Sequence, residues 1–255
     1  MRFITGSFCT LLLAFYALVY AVSVSAEKPE NDVGRPIWAK NATALDLTCQ
    51  PHSRAIRSPD RLSSVIVTCE LKAGEPTYRL RVITADHHEH ELPMTEGSNE
   101  LLWAPDSRAF FVNGGLGASS GFFVDVFQID AAERVMKRTI TRPAQMDMVK
   151  SFPPCKAWNG DEQDCLRTAR HPEYNMSALA WTEDSSAIYV IGEVPCSSWY
   201  GGIMCQVLGY ELAISDGHVV KRLSARQAKQ QWGSFAAWDI RIPDPPKYGP
   251  AHVTW

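Results

Sequence analysis

The chain carries no strong catalytic, cofactor-binding or nucleic-acid-binding motif, and no cofactor is expected. It has no C-x-x-C pair, the usual signature of structural zinc. It has no basic block and no acidic tail, and its formal net charge is −3, so its electrostatics select neither DNA, RNA nor an anionic membrane as partner. Beyond residue 26 no apolar stretch is long enough to span a bilayer. These absences leave a non-enzymatic binding protein as the first expectation, a hydrolase or metal-dependent enzyme as the second, and a purely structural component as the third.

The N-terminus supplies the compartment. Arg2 is followed by no further charge until Glu27, and between them runs an apolar segment centred on residues 11–19. It closes on Val24-Ser25-Ala26, small or slim side chains at the positions a signal peptidase reads. Residues 1–26 are therefore expected to be a signal peptide, and residues 27–255 a single domain that works in the periplasm or is secreted. Residues 3–26 would also span a membrane if the signal were retained, and membrane association is expected only in that case. Cys9 precedes the apolar run, too early for a lipid-modified cysteine. Cleavage after Ala26 leaves roughly 230 residues, ample for one large all-β domain.

Removing Cys9 leaves Cys49, Cys69, Cys155, Cys165, Cys196 and Cys205, an even set in an oxidising compartment. Six cysteines permit many pairings. Local spacing favours Cys155 with Cys165 and Cys196 with Cys205, each bracketing a polar loop, and leaves Cys49 for Cys69.

Three segments share an Asp-containing turn between apolar strands. They read Arg57-Ser58-Pro59-Asp60, Trp103-Ala104-Pro105-Asp106 and Trp181-Thr182-Glu183-Asp184. Proline fixes φ and aspartate bonds nearby backbone N–H groups, which forces a reversal. The tryptophan offers a large anchor between neighbouring sheets. Further strand-like runs follow each turn, giving four strands in roughly 45 residues, the size of a propeller blade.

Trp103-Ala104-Pro105-Asp106-Ser107 and Trp181-Thr182-Glu183-Asp184-Ser185 resemble the W-S-P-D-G turn of TolB-type, WD40-like β-propeller repeats. The resemblance covers about residues 52–94, 99–140 and 177–225. It departs from the pattern at Arg57, at Glu183 and in the missing glycine after each aspartate. It implies an all-β, four-bladed or incomplete propeller and is nearly silent on function. A fourth blade would draw on residues 44–49 and 235–242. A β-sandwich is the alternative. Residues 141–175 form a long loop insertion, and Ala225–Trp232 is expected as a short helix capped by Ser224 and ended by Gly233.

Gly117-Ala118-Ser119-Ser120-Gly121 matches a nucleophile elbow, but the residues after it read as a strand where that elbow needs a helix. No catalytic residue is assigned. His87, His88 and His90 form the one imidazole cluster, a weak metal candidate without a distant ligand, and a solvated turn is the expectation. Residues 196–205 place Trp199 and Tyr200 between two cysteines, where a disulfide would pre-organise two hot-spot side chains. In a four-stranded blade this loop, residues 113–121 and the insertion share one face, and the histidines lie opposite. Trp199, Tyr200, Asn113 and Ser119 are accordingly the candidate binding residues, presented to a protein or glycan partner. An open blade edge would also allow a homodimer. Asn41-Ala42-Thr43 and Asn175-Met176-Ser177 fit the N-glycosylation pattern.

Overall fold

Each of the three Asp turns is closed by the same local bond. Oδ1 of the aspartate accepts the backbone N–H two residues on: Leu62 at 2.9 Å from Asp60, Arg108 at 2.9 Å from Asp106, and Ser186 at 3.1 Å from Asp184. Hydroxyl donors from Ser58 and Thr182 hold the Asp60 and Asp184 carboxyls below the usual carboxylate range. The following residue, Arg61, Ser107 or Ser185, takes φ of 66°, 64° or 60°. This is the left-handed conformation glycine adopts without strain. Serine compensates for that strain: Ser107 Oγ accepts Asp60 N, and Ser185 Oγ accepts Asp106 N, both at 3.1 Å.

The computed structural model describes residues 35–49, 53–115, 121–152, 174–196 and 203–244. The expected signal, Cys155, Cys165, Ser119, Trp199 and Tyr200 lie outside them. Beyond the two-residue β1 (Thr43–Ala44), the first sheet runs β2 (Ile56–Arg57), β3 (Ser64–Lys72), β4 (Glu75–Ile83) and β5 (Glu89–Pro93). The second runs β6 (Ser98–Trp103), β7 (Ala109–Gly115), β8 (Phe122–Ile129) and β9 (Val135–Arg138), with β1 added on the β6 edge. The third runs β10 (Asn175–Trp181), β11 (Ala187–Glu193), β12 (Val207–Ala213) and β13 (Val219–Ser224). Neighbouring strands in all three pair antiparallel, so the architecture is all-β.

Alternation along the strands decides which sheets meet. Val65, Val67, Leu80 and Val82 of the first sheet pack against Leu101, Trp103, Phe110 and Phe127 of the second. The other face of the second sheet, with Phe111, Val124 and Val126, packs against Met176, Ala178, Ile188, Val190 and Tyr210 of the third. The second sheet is thus covered on both faces, and β7 reads as a nearly unbroken apolar run for that reason.

The same hydrogen bond crosses both sheet interfaces. Trp103 Nε1 donates to Ile56 O, and Trp181 Nε1 donates to Leu102 O, each at 3.1 Å. Ile56 and Leu102 occupy equivalent places, one residue before Arg57 and Trp103. A buried indole N–H thereby finds its acceptor in the preceding sheet. No sheet precedes the first among the described residues, and there Arg57 stands in the place of the tryptophan.

A fourth sheet does not form from the chain ends among the described residues. Residues 43–44 pair with β6, with Thr43 opposite Leu101. The C-terminal segment instead meets residues just upstream: Lys40 N donates to Phe235 O and Ala237 N to Trp38 O, both at 2.8 Å, around an Ala39–Ala236 bridge. Both end faces are finished differently. The first sheet's outer face carries Arg79 and Arg81 on β4 and Glu89 and Glu91 on β5, which disfavours burial under another sheet. The third sheet's outer face is covered by the helix Ala225–Trp232.

The insertion, expected as loop throughout, opens with helix α1 (Arg142–Ser151). Its proline sits in the first turn, where the missing N–H leaves no bond broken. Ala144 and Met148, one helical turn apart, bury against the third sheet, and Tyr210 Oη donates to Asp147 Oδ2 at 2.8 Å. Burial, then the Asp147 charge, push the Tyr210 phenol up. Helix α2 (Ala225–Trp232) forms as the sequence predicts, with Ser224 and Gln227 exchanging capping bonds. Its Trp232 seats over Gly209, where a Cβ would lie 2.6 Å from the indole ring. No helix among the described residues is long and apolar enough to cross a membrane.

Candidate functional site

Three connections end side by side: the β7–β8 loop at Phe122, the insertion at Asn175, and the β11–β12 loop, which leaves β11 at Glu193. Asn175 pairs with Glu193 and Ser177 with Ile191 across β10 and β11, so these four side chains share one face of the third sheet. Phe122 N donates to Asn175 Oδ1 at 3.0 Å, which joins the second sheet to this group.

A buried carboxylate places the opposite wall. Glu100 is fully buried on β6 and accepts four N–H donors. Oε2 takes Ile37 N at 2.6 Å and Trp38 N at 3.1 Å; Oε1 takes Ala39 N at 2.8 Å and Asn113 Nδ2 at 2.7 Å. Asn113 in turn donates to Ala178 O at 2.8 Å and accepts Ala178 N at 2.9 Å. One side-chain pair therefore fastens an N-terminal strap, residues 37–39, to both the second and third sheets. Three successive backbone N–H groups lose water here, and the carboxylate supplies the acceptor each needs.

The strap, Phe122, the β10–β11 pair and Trp238 enclose a cavity of about 200 Å³. It is lined by Ile37, Trp38, Phe122, Ile191 and Trp238, with Asn175, Ser177 and Glu193 as its polar groups. Ile37 is half exposed, so the cavity reaches the surface beside the strap. The Trp38 and Phe122 rings meet edge to face with centroids 5.2 Å apart. Gly115 makes room for them, because a Cβ there would lie 2.5 Å from the Phe122 ring.

The polar groups of the cavity are unevenly satisfied. Trp238 Nε1 is buried and has no hydrogen-bond partner among the described residues. The Ser177 side chain makes no hydrogen bond among them either. Burial pushes the Glu193 carboxyl up, against the opposing effects of the Asn175 amide and the Arg241 charge. Behind Glu193 lies the Cys196–Cys205 disulfide, with Cys196 Sγ 3.2 Å from Glu193 Oε1 and 3.5 Å from Arg241 Nη1. Glu193, Cys196 and Cys205 form the one cluster of potential metal ligands among the described residues, and the disulfide leaves no thiolate to bind an ion. A second disulfide joins Cys49 to Cys69 on β3.

Several sequence expectations change in the folded chain. Asn113 does not face a partner: its amide is spent on Glu100 and Ala178 beneath the surface. Asn175 of the second glycosylation pattern is buried with its amide engaged, which closes it to modification in the folded chain. His87 takes a left-handed turn conformation, with its N–H on Thr84 O. His88 is exposed. His90 lies opposite Val82, with its Nε2 buried and unpartnered among the described residues. Sequence reasoning missed Glu100, Trp38 and Trp238. Glu100 had one visible signal, an acidic residue directly before the apolar Leu101-Leu102-Trp103 run of its strand.

No family model matches the chain, and no curated protein does. Among solved structures it is similar to Pyrococcus horikoshii acylaminoacyl peptidase, at 8% identity over 63% of this chain and a TM-score of 0.32. It is also similar to TolB from Acinetobacter baumannii, at 13% identity over 66% of this chain and a TM-score of 0.27. The chain spans 22% of the length of the former and 31% of the latter.

Proposed function

We propose that this chain is an extracytoplasmic, non-enzymatic binding protein, built as an incomplete propeller, that recognises its ligand at the cavity beside the 196–205 loop. The export-type N-terminus and the two disulfides support the compartment. The Trp and Ser bonds repeated at both sheet interfaces support the propeller reading over a sandwich, because they relate successive sheets by one recurring operation.

One observation carries the binding role: an aromatic-lined cavity open at the surface, with Asn175, Ser177 and Glu193 among its lining. A cavity with a few converging polar groups is the usual form of a ligand site. Among the described lining residues Glu193 is the sole ionisable group.

The test is capture from extracytoplasmic material on immobilised protein. Wild type is compared with Ser177→Val/Glu193→Gln in the cavity and with Trp199→Ala/Tyr200→Ala in the loop. A ligand retained by wild type and lost from the cavity variant supports the site. Identical captured material on wild type and the cavity variant would sink it.

A further inference from the structure

We propose that reduction of the Cys196–Cys205 disulfide turns the base of the β11–β12 loop into a zinc site, with Cys196, Cys205 and Glu193 as its ligands. The ligand atoms of these three residues all lie within 4.8 Å of one another. Atoms sharing one tetrahedral zinc stand about 3.6–3.8 Å apart, given Zn–S bonds of ~2.3 Å and Zn–O bonds of ~2.1 Å. Glu193 Oε1, 3.2 Å from Cys196 Sγ, is already near that spacing. Only the two sulfurs must part, and breaking the bond between them permits it.

The backbone keeps the ligands together once the bond is cut. Beyond the Glu193–Val207 pair the hairpin continues, with Val194 N donating to Gln206 O and Cys205 N to Val194 O, both at 2.9 Å. The Cα atoms of Cys196 and Cys205 are 4.5 Å apart, although the residues are nine apart in sequence. Strand pairing thus does for these cysteines what short spacing does in C-x-x-C. Glu193 is held as well. Asn175 Oδ1 accepts Phe122 N, which leaves the NH₂ end of that amide for the Glu193 carboxyl. Such outer bonds orient a metal ligand. The charges also balance: Zn²⁺ with two thiolates and a carboxylate carries one negative charge, and Arg241 Nη1 lies 3.5 Å from Cys196 Sγ. Thiolates disfavour calcium and magnesium, and a mixed sulfur and oxygen set suits zinc. Three protein ligands leave a fourth position for water.

The bond that must break is the more accessible of the two described. Cys196 is exposed, whereas Cys49 and Cys69 are both half-buried. A dithiol reductant attacks Cys196 Sγ through its thiolate, and Cys205 leaves as a thiolate. The second thiol of the reductant then displaces Cys196, whose thiolate forms beside the Arg241 guanidinium. Two electrons pass to the cysteine sulfurs, and the reductant ends as a disulfide. Zinc takes both sulfurs as thiolates, and the protons of the dithiol go to solvent.

The test uses the whole protein, freed of metal, in its oxidised form and after anaerobic reduction with a trialkylphosphine. Zinc uptake is read by competition with a chromophoric chelator, and cobalt(II) serves separately as a spectroscopic stand-in. Reduced wild type is expected to take one more equivalent of zinc than reduced Cys196→Ser/Cys205→Ser, and to show stronger thiolate-to-cobalt charge transfer. Oxidised wild type should show neither gain. Glu193→Gln should raise the Kd for zinc by at least about tenfold, since even outer partners of a metal ligand cost that much. Alkylation by iodoacetamide, mapped by peptide mass spectrometry, should find Cys196 and Cys205 of reduced wild type shielded by zinc. That measurement needs no variant and decides the matter should the double substitution fail to fold. Equal zinc uptake by wild type and the double variant, or alkylation of Cys196 and Cys205 undiminished by zinc, would overturn the site. An unchanged Kd in Glu193→Gln would overturn the three-ligand set, and a dithiol that opens Cys49–Cys69 first would overturn the reduction step.

Discussion

Replacing Glu100 by glutamine changes one atom and should release the strap that walls the cavity. The two carboxylate oxygens each accept two N–H groups. A glutamine keeps one oxygen and sets an NH₂ against the other pair of donors, so two buried N–H groups lose their acceptor in either orientation. Asn113 cannot relieve the conflict by turning over, because Ala178 already holds both ends of its amide. At about 1–3 kcal/mol for each orphaned donor, the penalty is roughly 2–6 kcal/mol. That is a large part of the ~5–15 kcal/mol that holds a domain folded. The strap has a cheaper exit: it can detach while the sheets stay packed, which limits the global loss to the free energy of docking it. Two measurements are therefore needed on Glu100→Gln, urea unfolding and amide hydrogen exchange at residues 37–39. The expected result is faster exchange at those three amides, with a lower unfolding midpoint wherever docking and folding are coupled. Wild-type exchange at residues 37–39 together with a stability change below about 0.5 kcal/mol would refute the reasoning.

Four further variants have expected outcomes. Trp181→Phe keeps an aromatic ring beside Phe111 but loses the bond to Leu102 O, and should lower stability by about 1–2 kcal/mol in urea unfolding. Arg61→Gly should be neutral or stabilising by up to about 1 kcal/mol, since it relieves a left-handed conformation and removes no interface bond. Ser107→Gly relieves the same strain but gives up the bond from Asp60 N, so calorimetry should rank it below Arg61→Gly. The raised pKa of Glu193 means that the folded state binds its proton more tightly than the unfolded chain. Its penalty is absent while both states are protonated, and grows as pH rises from the ordinary glutamate value through the folded one. Thermal unfolding should show Glu193→Gln gaining on wild type as pH rises above the ordinary glutamate value, about 4.3; a constant gap would contradict the burial of that carboxyl.

The elements legible in the sequence are those specified by neighbours. The three Asp turns form where proline or hydroxyl residues and aspartate sit together, and α2 starts and stops at Ser224 and Gly233. The missing glycines looked like decay of the pattern, yet at Ser107 and Ser185 the hydroxyl does a job that glycine could not. Helix α1 was hidden by its proline, which marks a loop in most contexts but is tolerated in a first helical turn. The site was the least legible part. The bonds from residues 37–39 to Glu100 join positions more than 60 residues apart, and Trp238 reaches the cavity through a two-sided backbone pairing with residues 38–40. No local pattern announces partners brought together by the paths of both chain ends. Of the loop that sequence reasoning favoured, the described part is its Cys196–Cys205 base, which lies behind Glu193.

The bonds between sheets also have a direction. At both interfaces the later sheet contributes an indole N–H and a serine oxygen, and the earlier one contributes a carbonyl and an aspartate N–H. Such head-to-tail contacts are the kind that, between separate molecules, polymerise without limit unless something stops them. Here the stops are written into the chain: arginines where the first repeat would need tryptophan and serine, and a helix over the last sheet. The middle sheet, which both gives and receives, behaves as a module with matching couplings at its two ends. A chain carrying one more such copy would have both new interfaces chemically supplied in advance, which makes repeat number the easiest property of this fold for evolution to change.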